Sequence, residues 1–342
     1  MTYELSKALI YKGVDVNVLT SYIGVLRSRL KPFDVVGGIH IYRTHMPYLW
    51  KIPLRYFSLI RSSDILQIQT FHMSHILLLK NLLPPVVSFI HHLENRSLYH
   101  HFLQFLLCHR SDVIVSNSEQ TAMEYIRTFS APKERVQIVP LGVDISRFTR
   151  KIKGGEIKSK FKGNIVLFVG TVAPRKGLEY LIRAAPLVLK EMPDTNFVIV
   201  GDKSDEQEYC RLRELSKDLG VQNNMLFEGV QTESFIHEYY AACNVFVLPS
   251  LQEGFGQVVL EAMACGKPIV STDLPILIEL TKGCGITVKR RDSEELAKAI
   301  VCLLENESLR KKLGRNARER AKEYTWEKTA ERIVKIYGEL LN

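Results

Sequence analysis

Short apolar runs alternate with helical patterns along almost all of this 342-residue chain, and this alternation is the strongest constraint on its fold. The apolar runs have the length of strands, and apolar residues recur at helical spacing in the segments between them. Strands that alternate with helices form parallel sheets covered on both faces, because the crossover connections are right-handed. The sequence therefore predicts an α/β protein.

The alternation occurs in two series, separated by a segment rich in Lys and Gly without periodicity. Two such series predict two Rossmann-like domains with parallel sheets facing a cleft, and ligands at the carboxyl ends of the strands. The predicted boundaries are 1–148 for the N-terminal domain, 149–163 for the linker, 164–325 for the C-terminal domain and 326–342 for a helix that crosses back to the first domain.

The composition narrows the classes of function. The formal net charge is +9, with most of the excess in the first half, and this favours an anionic partner. Nucleic acid is not expected, because no nucleic-acid-binding motif accompanies the charge. No apolar stretch has the length of a membrane span and the N-terminus lacks a leader pattern. Six cysteines without metal-site spacing favour reduced thiols and a cytoplasmic location.

The most informative segment follows an apolar strand and carries two glycines and two glutamates. Gly254 and Gly256 allow a tight turn, and a helix that begins near Gln257 adds the positive end of its dipole, so the turn can hold a pyrophosphate. Glu253 and Glu261 can accept hydrogen bonds from vicinal hydroxyls, one from a ribose and the other from a sugar. On these residues alone, a solvated glutamate pair at an ordinary strand–helix connection remains the alternative.

A second segment with cations also follows an apolar strand. Arg175 and Lys176 are adjacent there, and two cations at the carboxyl end of a strand can neutralise a leaving diphosphate. The alternative is a solvated Arg-Lys pair at a turn.

The order Glu-Gly-Phe-Gly-x-Val-x-Leu-Glu-Ala-Met-Ala-x-Gly-x-Pro, from Glu253 to Pro268, resembles the signature of the family 4 retaining glycosyltransferases, which have the GT-B architecture. The resemblance implies that Glu253 contacts the donor sugar and that Glu261 contacts the nucleotide ribose. It also implies that four consecutive amides lie at the donor phosphate and sugar; these belong to Gly254, Phe255, Gly256 and Gln257.

The segment from Val169 to Leu178 is similar to the donor-phosphate loop of the same family, with Gly170 among the donor-binding residues. Lys176 takes the place of the family's phosphate-binding lysine. Thr171 stands where the family commonly has arginine, so the second cationic role passes to Arg175.

The first domain contains a further match and a departure. His91 takes the place of a family histidine beside the reacting sugar, where a neutral imidazole can hydrogen-bond the donor or orient the acceptor hydroxyl. A structural histidine is the alternative. Relatives begin with a strand and a glycine-rich loop, whereas this sequence begins in the helix that follows them. The first strand of the domain is therefore expected to be missing, with an upstream in-frame extension encoding it.

The resemblance implies a retaining hexosyltransferase (EC 2.4) that moves a sugar from a nucleotide-diphosphate donor to a glycan, glycolipid or other hydroxyl acceptor. No metal and no cofactor are expected, since Arg175 and Lys176 supply the positive charge. The alternatives are another GT-B enzyme, either a sugar-nucleotide epimerase or a phosphorylase, and a truncated, non-catalytic nucleotide-sugar-binding protein. Aromatic and aliphatic residues at 99–107 suggest peripheral contact with the inner face of a membrane, with core packing as the alternative.

Overall fold

The computed structural model describes residues 1–21, 31, 33–44, 54–93, 97–149 and 154–342. These residues form two compact units. The first unit combines Met1–Leu141 with Trp326–Asn342, and the second comprises Gly142–Thr325. Helices and mainly parallel strands build both units, which confirms the predicted α/β class.

The helices and strands follow the predicted alternation closely. The α-helices are α1 (Thr2–Tyr11), α2 (Leu54–Arg61), α3 (Leu98–Arg110), α4 (Glu119–Phe129), α5 (Gly155–Lys160), α6 (Leu178–Glu191), α7 (Glu206–Asp218), α8 (Glu233–Ala242), α9 (Gln257–Ala264), α10 (Pro275–Thr281), α11 (Ser293–Glu305), α12 (Glu307–Ala321) and α13 (Trp326–Leu341). The strands are β1 (Asn17–Ser21), β2 (Phe33–Val36), β3 (Ile39–Thr44), β4 (Leu66–Ile68), β5 (Val86–Ile90), β6 (Val113–Ser116), β7 (Val136–Ile138), β8 (Asn164–Val169), β9 (Thr195–Val200), β10 (Met225–Gly229), β11 (Val245–Leu248), β12 (Ile269–Thr272) and β13 (Gly285–Val288). Among the described residues, three segments are 3-10 helical: Phe71–Leu82, Lys133–Arg135 and Pro174–Lys176.

The first unit contains two sheets. One has the order β1-β3-β2, in which β1 and β3 are parallel and β2 is antiparallel to β3. The hairpin between β2 and β3 turns through Gly37 and Gly38, whose φ angles are 58° and 81°. Two consecutive positive φ angles are typical of the two-residue hairpin turn that matches strand twist. The other sheet is parallel, with the order β4-β5-β6-β7.

The edges of these two sheets border one hydrophobic core. Leu19 of β1 and Leu66 of β4 both pack against a buried cluster that includes Ile68, Ile90 and Leu107. Within the described part of the chain, β1 and β4 each pair with a single neighbouring strand.

The second unit is organised around one six-stranded parallel sheet with the order β10-β9-β8-β11-β12-β13. Counted from its own first strand, this is the Rossmann order 3-2-1-4-5-6. The order reverses between β8 and β11, where Val245 lies beside Val166. Ligands of such sheets bind outside the carboxyl ends of the strands at this switch point. The loops after β8 and β11 are therefore the expected place for a site.

The segment predicted as a linker, 149–163, contains the short helix α5. Ile157 is buried there, and α5 packs against α8. A single buried apolar residue produces no hydrophobic periodicity, so the sequence pattern did not predict this helix. Residues 150–153 of the predicted linker lie outside the described residues.

Across the parts of the chain that the structure describes, no helix has both the length and the apolar character needed to cross a membrane.

Candidate functional site

The turn between β11 and α9 contains the predicted glycines and acids. Gly256 is the N-cap residue of α9, with a φ of 90°, and a Cβ added to it would lie 2.9 Å from Cδ2 of Leu277. No side chain caps the first turn of α9, so its N–H groups lack the usual side-chain acceptor. An uncapped helix N-terminus at the switch point of a parallel sheet is a place where an anion can bind.

The loop after β8 lies directly against the loop after β11. Gly177 has a φ of 65°, and a Cβ there would lie 2.1 Å from the carbonyl oxygen of Pro249. The N–H groups of Leu251 and Gln252 donate to the carbonyl oxygen of Arg175, at 2.8 and 3.3 Å. The main chain of Arg175 therefore joins the two loops, while its side chain is exposed. This contact brings the two predicted segments together.

Lys176 and Glu253 meet in a buried ion pair. The Lys176 ammonium nitrogen lies 2.5 Å from Oε2 of Glu253, and the two side chains are only 9% and 12% exposed. The hydroxyl of Ser250 donates to the same carboxylate oxygen at 3.4 Å. Glu253 therefore satisfies the lysine charge, and a bound diphosphate would compete with it for Lys176.

Glu261, on α9, accepts a hydrogen bond from a residue of α8. The hydroxyl of Tyr240 donates to its Oε2 at 2.7 Å. Burial, followed by the charge of Glu261, raises the pKa of Tyr240 well above its ordinary value, so the hydroxyl stays protonated. Tyr240 belongs to α8, and sequence analysis did not identify it, because a tyrosine on an apolar helix face has the pattern of a core residue.

Three further predicted residues lie around the same turn. Phe255 is buried, with its ring 6.4 Å from that of Tyr324. The side-chain amide of Gln257 donates to the carbonyl oxygen of Gly142 at 2.8 Å. A Cβ added to Gly170 would lie 3.9 Å from Cε of Lys176. All the predicted donor-binding residues thus belong to the second unit, on the loops after β8 and β11 and on α9.

His91 lies in the first unit, immediately after β5. Burial is the main cause that lowers its pKa to about 4, the charge of His92 lowers it further, and the backbone of Gln69 acts in the opposite direction. The imidazole is therefore neutral at pH 7, as the predicted role requires. The side-chain amide of Asn117 donates to its backbone carbonyl oxygen at 3.4 Å.

Nowhere in the described ranges do three or more His, Cys, Asp or Glu side chains form a group that could hold a metal ion. All six cysteines are free thiols, and four of them are buried.

Two family models together match nearly the whole chain. The model described as Glycosyltransferase Family 4 matches residues 1–147, and the model described as Glycosyl transferases group 1 matches residues 150–320. The chain therefore belongs to the family 4, group 1 glycosyltransferases, as the resemblance of its motifs predicted.

Curated relatives match about two thirds of the chain. The D-inositol 3-phosphate glycosyltransferase of Salinispora arenicola is 30% identical over an alignment of 246 residues, which covers 67% of this chain and 55% of that protein. The protein of the same name from Mycobacteroides abscessus is 32% identical over 238 residues, 67% of this chain and 52% of that protein. The chain spans about half the length of these curated relatives.

Solved structures show the fold. Sucrose-phosphate synthase from Thermosynechococcus elongatus superposes with a TM-score of 0.86 at 21% identity, covering 99% of this chain and 92% of that chain. Anabaena HepE, solved in complex with UDP-glucose, superposes with a TM-score of 0.83 at 19% identity, covering 98% and 94%. The chain therefore has the GT-B fold that its sequence predicted.

Proposed function

We propose that this protein transfers a hexose from a nucleotide-diphosphate sugar to an acceptor hydroxyl, with retention of the anomeric configuration. The observation that carries the proposal is the buried pair of Lys176 and Glu253 beside the uncapped N-terminus of α9. It lies at the switch point of a Rossmann-ordered sheet, where a diphosphate fits. Names of relatives support the same class, since one is solved with UDP-glucose and others are inositol-phosphate glycosyltransferases.

The roles of the residues follow from their charges and positions. Lys176, Arg175 and the amides of residues 254–257 stabilise the negative charge that develops on the leaving diphosphate. Glu253 binds hydroxyls of the donor sugar, and Glu261 binds the ribose. His91, neutral at pH 7, accepts or donates a hydrogen bond at the reacting sugar or the acceptor hydroxyl.

The chemical step exchanges one bond at the anomeric carbon for another. The bond from that carbon to the diphosphate oxygen breaks, and its electron pair leaves with the diphosphate. The acceptor oxygen bonds to the same face of the carbon, and its proton goes to the departing diphosphate oxygen. Because Lys176 and Arg175 supply the positive charge at the leaving diphosphate, the proposal includes no metal ion and no cofactor.

Release of nucleoside diphosphate tests this proposal. The protein is incubated with UDP-, GDP- and ADP-sugars and a panel of glycan and glycolipid acceptors, with and without EDTA. We expect release from one donor class, undiminished by EDTA, and a loss of about 100-fold in Lys176→Ala. Turnover that depends on inorganic phosphate would indicate a phosphorylase, and tight binding without turnover would indicate a binding protein. Loss of activity in EDTA would contradict the metal-free mechanism.

We also propose that the first unit contacts an anionic membrane surface on the cytoplasmic side, consistent with an acceptor that is a glycolipid. One face of α3 packs in the core through Leu103, Leu106 and Leu107. The opposite face is apolar and exposed, and the adjoining 3-10 helix Phe71–Leu82 adds exposed leucines. The exposed residues are Leu98, Tyr99, Phe102 and Phe105 of α3 with Leu78, Leu79 and Leu82.

The first half of the sequence carries most of the net charge of +9, and this excess favours anionic lipid over a neutral partner. Flotation with vesicles of increasing phosphatidylserine content tests the contact. We expect binding that rises with anionic lipid and falls with salt, and weaker binding of the Phe102→Ser/Phe105→Ser variant than of the control Val230→Ser, whose side chain is exposed in the second unit. No binding to any vesicle at low salt would contradict the proposal.

A further inference from the structure

Tyr240 is a fully buried tyrosine whose hydroxyl reaches a residue of the candidate site. Its ring packs between Phe148 and Phe246, with centroids at 5.8 and 5.7 Å. These contacts fix the ring at the base of α9, with the hydroxyl 2.7 Å from Oε2 of Glu261. The position of that carboxylate is therefore coupled to a rigid aromatic cluster in the core.

The protonation state of Tyr240 determines which group donates in this hydrogen bond. Because burial keeps the phenol protonated, the hydroxyl donates and Glu261 accepts. A hydrogen bond to a charged group is stronger than one between neutral groups, which is enough to select one side-chain conformation of a glutamate. A carboxylate fixed in this way loses less conformational entropy when it accepts a hydrogen bond from a ligand.

We infer that Tyr240 is a positioning residue that orients Glu261 to bind the ribose hydroxyls of the donor, and so sets the preference of the site for ribonucleotides. The inference rests on the proposed function, because it assigns the ribose to Glu261. It adds a residue from a different helix, 21 positions earlier in the chain. A tyrosine with a purely packing role would contribute to stability and leave ribose recognition unchanged.

The chain contains a matched control in the adjacent residue. Tyr239 is buried in the same helix, and its hydroxyl donates to Oε2 of Glu228 at 2.7 Å. The variants Tyr240→Phe and Tyr239→Phe therefore remove the same group, from the same helix, with the same type of acceptor. Only the first of them removes a hydrogen bond to Glu261.

The experiment measures binding of UDP, GDP and ADP, and of their 2′-deoxy and 3′-deoxy forms, by calorimetry on the full chain. For the nucleotide that the wild type binds, we expect Tyr240→Phe to weaken ribonucleotide binding about tenfold, which corresponds to about 1.4 kcal/mol. Binding of the deoxy form that lacks the recognised hydroxyl should change little, so the preference for ribose nearly disappears. Tyr239→Phe should keep the wild-type preference.

The outcomes separate this inference from the proposed function. Wild-type protein that binds none of the nucleotides overturns both. Wild-type binding with an unchanged ribose preference in Tyr240→Phe overturns the positioning role alone. If Tyr240→Phe does not fold, 4-fluorophenylalanine at position 240 replaces it, since the fluorine fills the volume of the hydroxyl without donating. 4-Aminophenylalanine, which restores a donor, should recover the preference.

Discussion

Lys176 and Glu253 stand 77 residues apart in the sequence, yet the lysine nitrogen and a carboxylate oxygen lie 2.5 Å from each other with little access to solvent. Each charge is therefore balanced by the other. In the proposed function, a diphosphate that binds Lys176 would free Glu253 to accept hydrogen bonds from sugar hydroxyls, so one ligand would engage both residues.

Loss of one member of this pair should cost stability as well as activity. Lys176→Met leaves the Glu253 carboxylate buried without its counter-charge, and we expect the free energy of unfolding to fall by about 3 kcal/mol. The double variant Lys176→Met/Glu253→Gln removes both charges and should recover most of that loss. Urea denaturation of the two variants checks this. Equal stability of the single variant and the wild type would show that the pair is solvated.

Gly256 should not tolerate a side chain, for two reasons that a control separates. Gly256→Ala places a Cβ at a φ of 90° and 2.9 Å from Leu277, and we expect a loss of about 2–3 kcal/mol with weaker nucleotide binding. Gly220→Ala has a φ of 68° with nothing within 4 Å of the added Cβ, so it should lose only about 1 kcal/mol. Thermal unfolding and nucleotide titration of both variants test the difference. Equal losses would exclude a steric role for Gly256.

The buried imidazole of His91 should make folding stability depend on pH. Its pKa is about 4 in the folded chain and 6.5 ordinarily, so between these values the unfolded state binds the extra proton. Stability contributed by His91 is therefore complete above pH 6.5 and declines as the pH falls towards 4, by about 3 kcal/mol in total. Replacement by asparagine should remove this part of the slope.

Urea denaturation at pH 4.5 and pH 7 measures that slope. His92→Asn is the control, because the charge of His92 is a smaller cause of the lowered pKa than burial. The control should keep most of the wild-type slope. If His91→Asn keeps the full slope, the imidazole is not desolvated in solution.

The last helix should contribute as much to the stability of the first unit as the helices from its N-terminal part, Met1–Leu141. Ile333 of α13 is fully buried, and α13 packs against α1. We expect Ile333→Ala to lower the unfolding free energy by about 2–5 kcal/mol and to speed hydrogen exchange in α1. Glu331→Ala, which removes only an exposed ion pair with Lys12, should leave both unchanged. Unchanged exchange in α1 after Ile333→Ala would contradict the packing.

Sequence patterns were sufficient for the architecture of the second unit and for the residues of its glycine turn. Local spacing determines both, since apolar strands, glycines and a helix start are features of short segments. The side chains that these residues contact could not be predicted from the sequence. Lys176 and Glu253 were each singled out, but their contact depends on how two loops fold against each other at the switch point. Tyr240 was missed because its importance comes from Glu261, on another helix.

The first unit shows a different limit of sequence analysis. Gly37 and Gly38 lie between two apolar runs and are a hairpin turn by composition, yet β2 was not predicted. In the second unit, helix α5 was not predicted either, because one buried residue, Ile157, gives no repeat. In both cases the stabilising contacts come from outside the segment.

The first unit is assembled from two separate parts of the sequence, Met1–Leu141 and Trp326–Asn342. During synthesis, the ribosome therefore has to produce every residue of the second unit before it makes the helix that packs against α1. The second unit can mature on the nascent chain, whereas the first keeps an apolar flank uncovered until α13 has been made. A chain cut near residue 325 would therefore contain a complete second unit and an incomplete first unit.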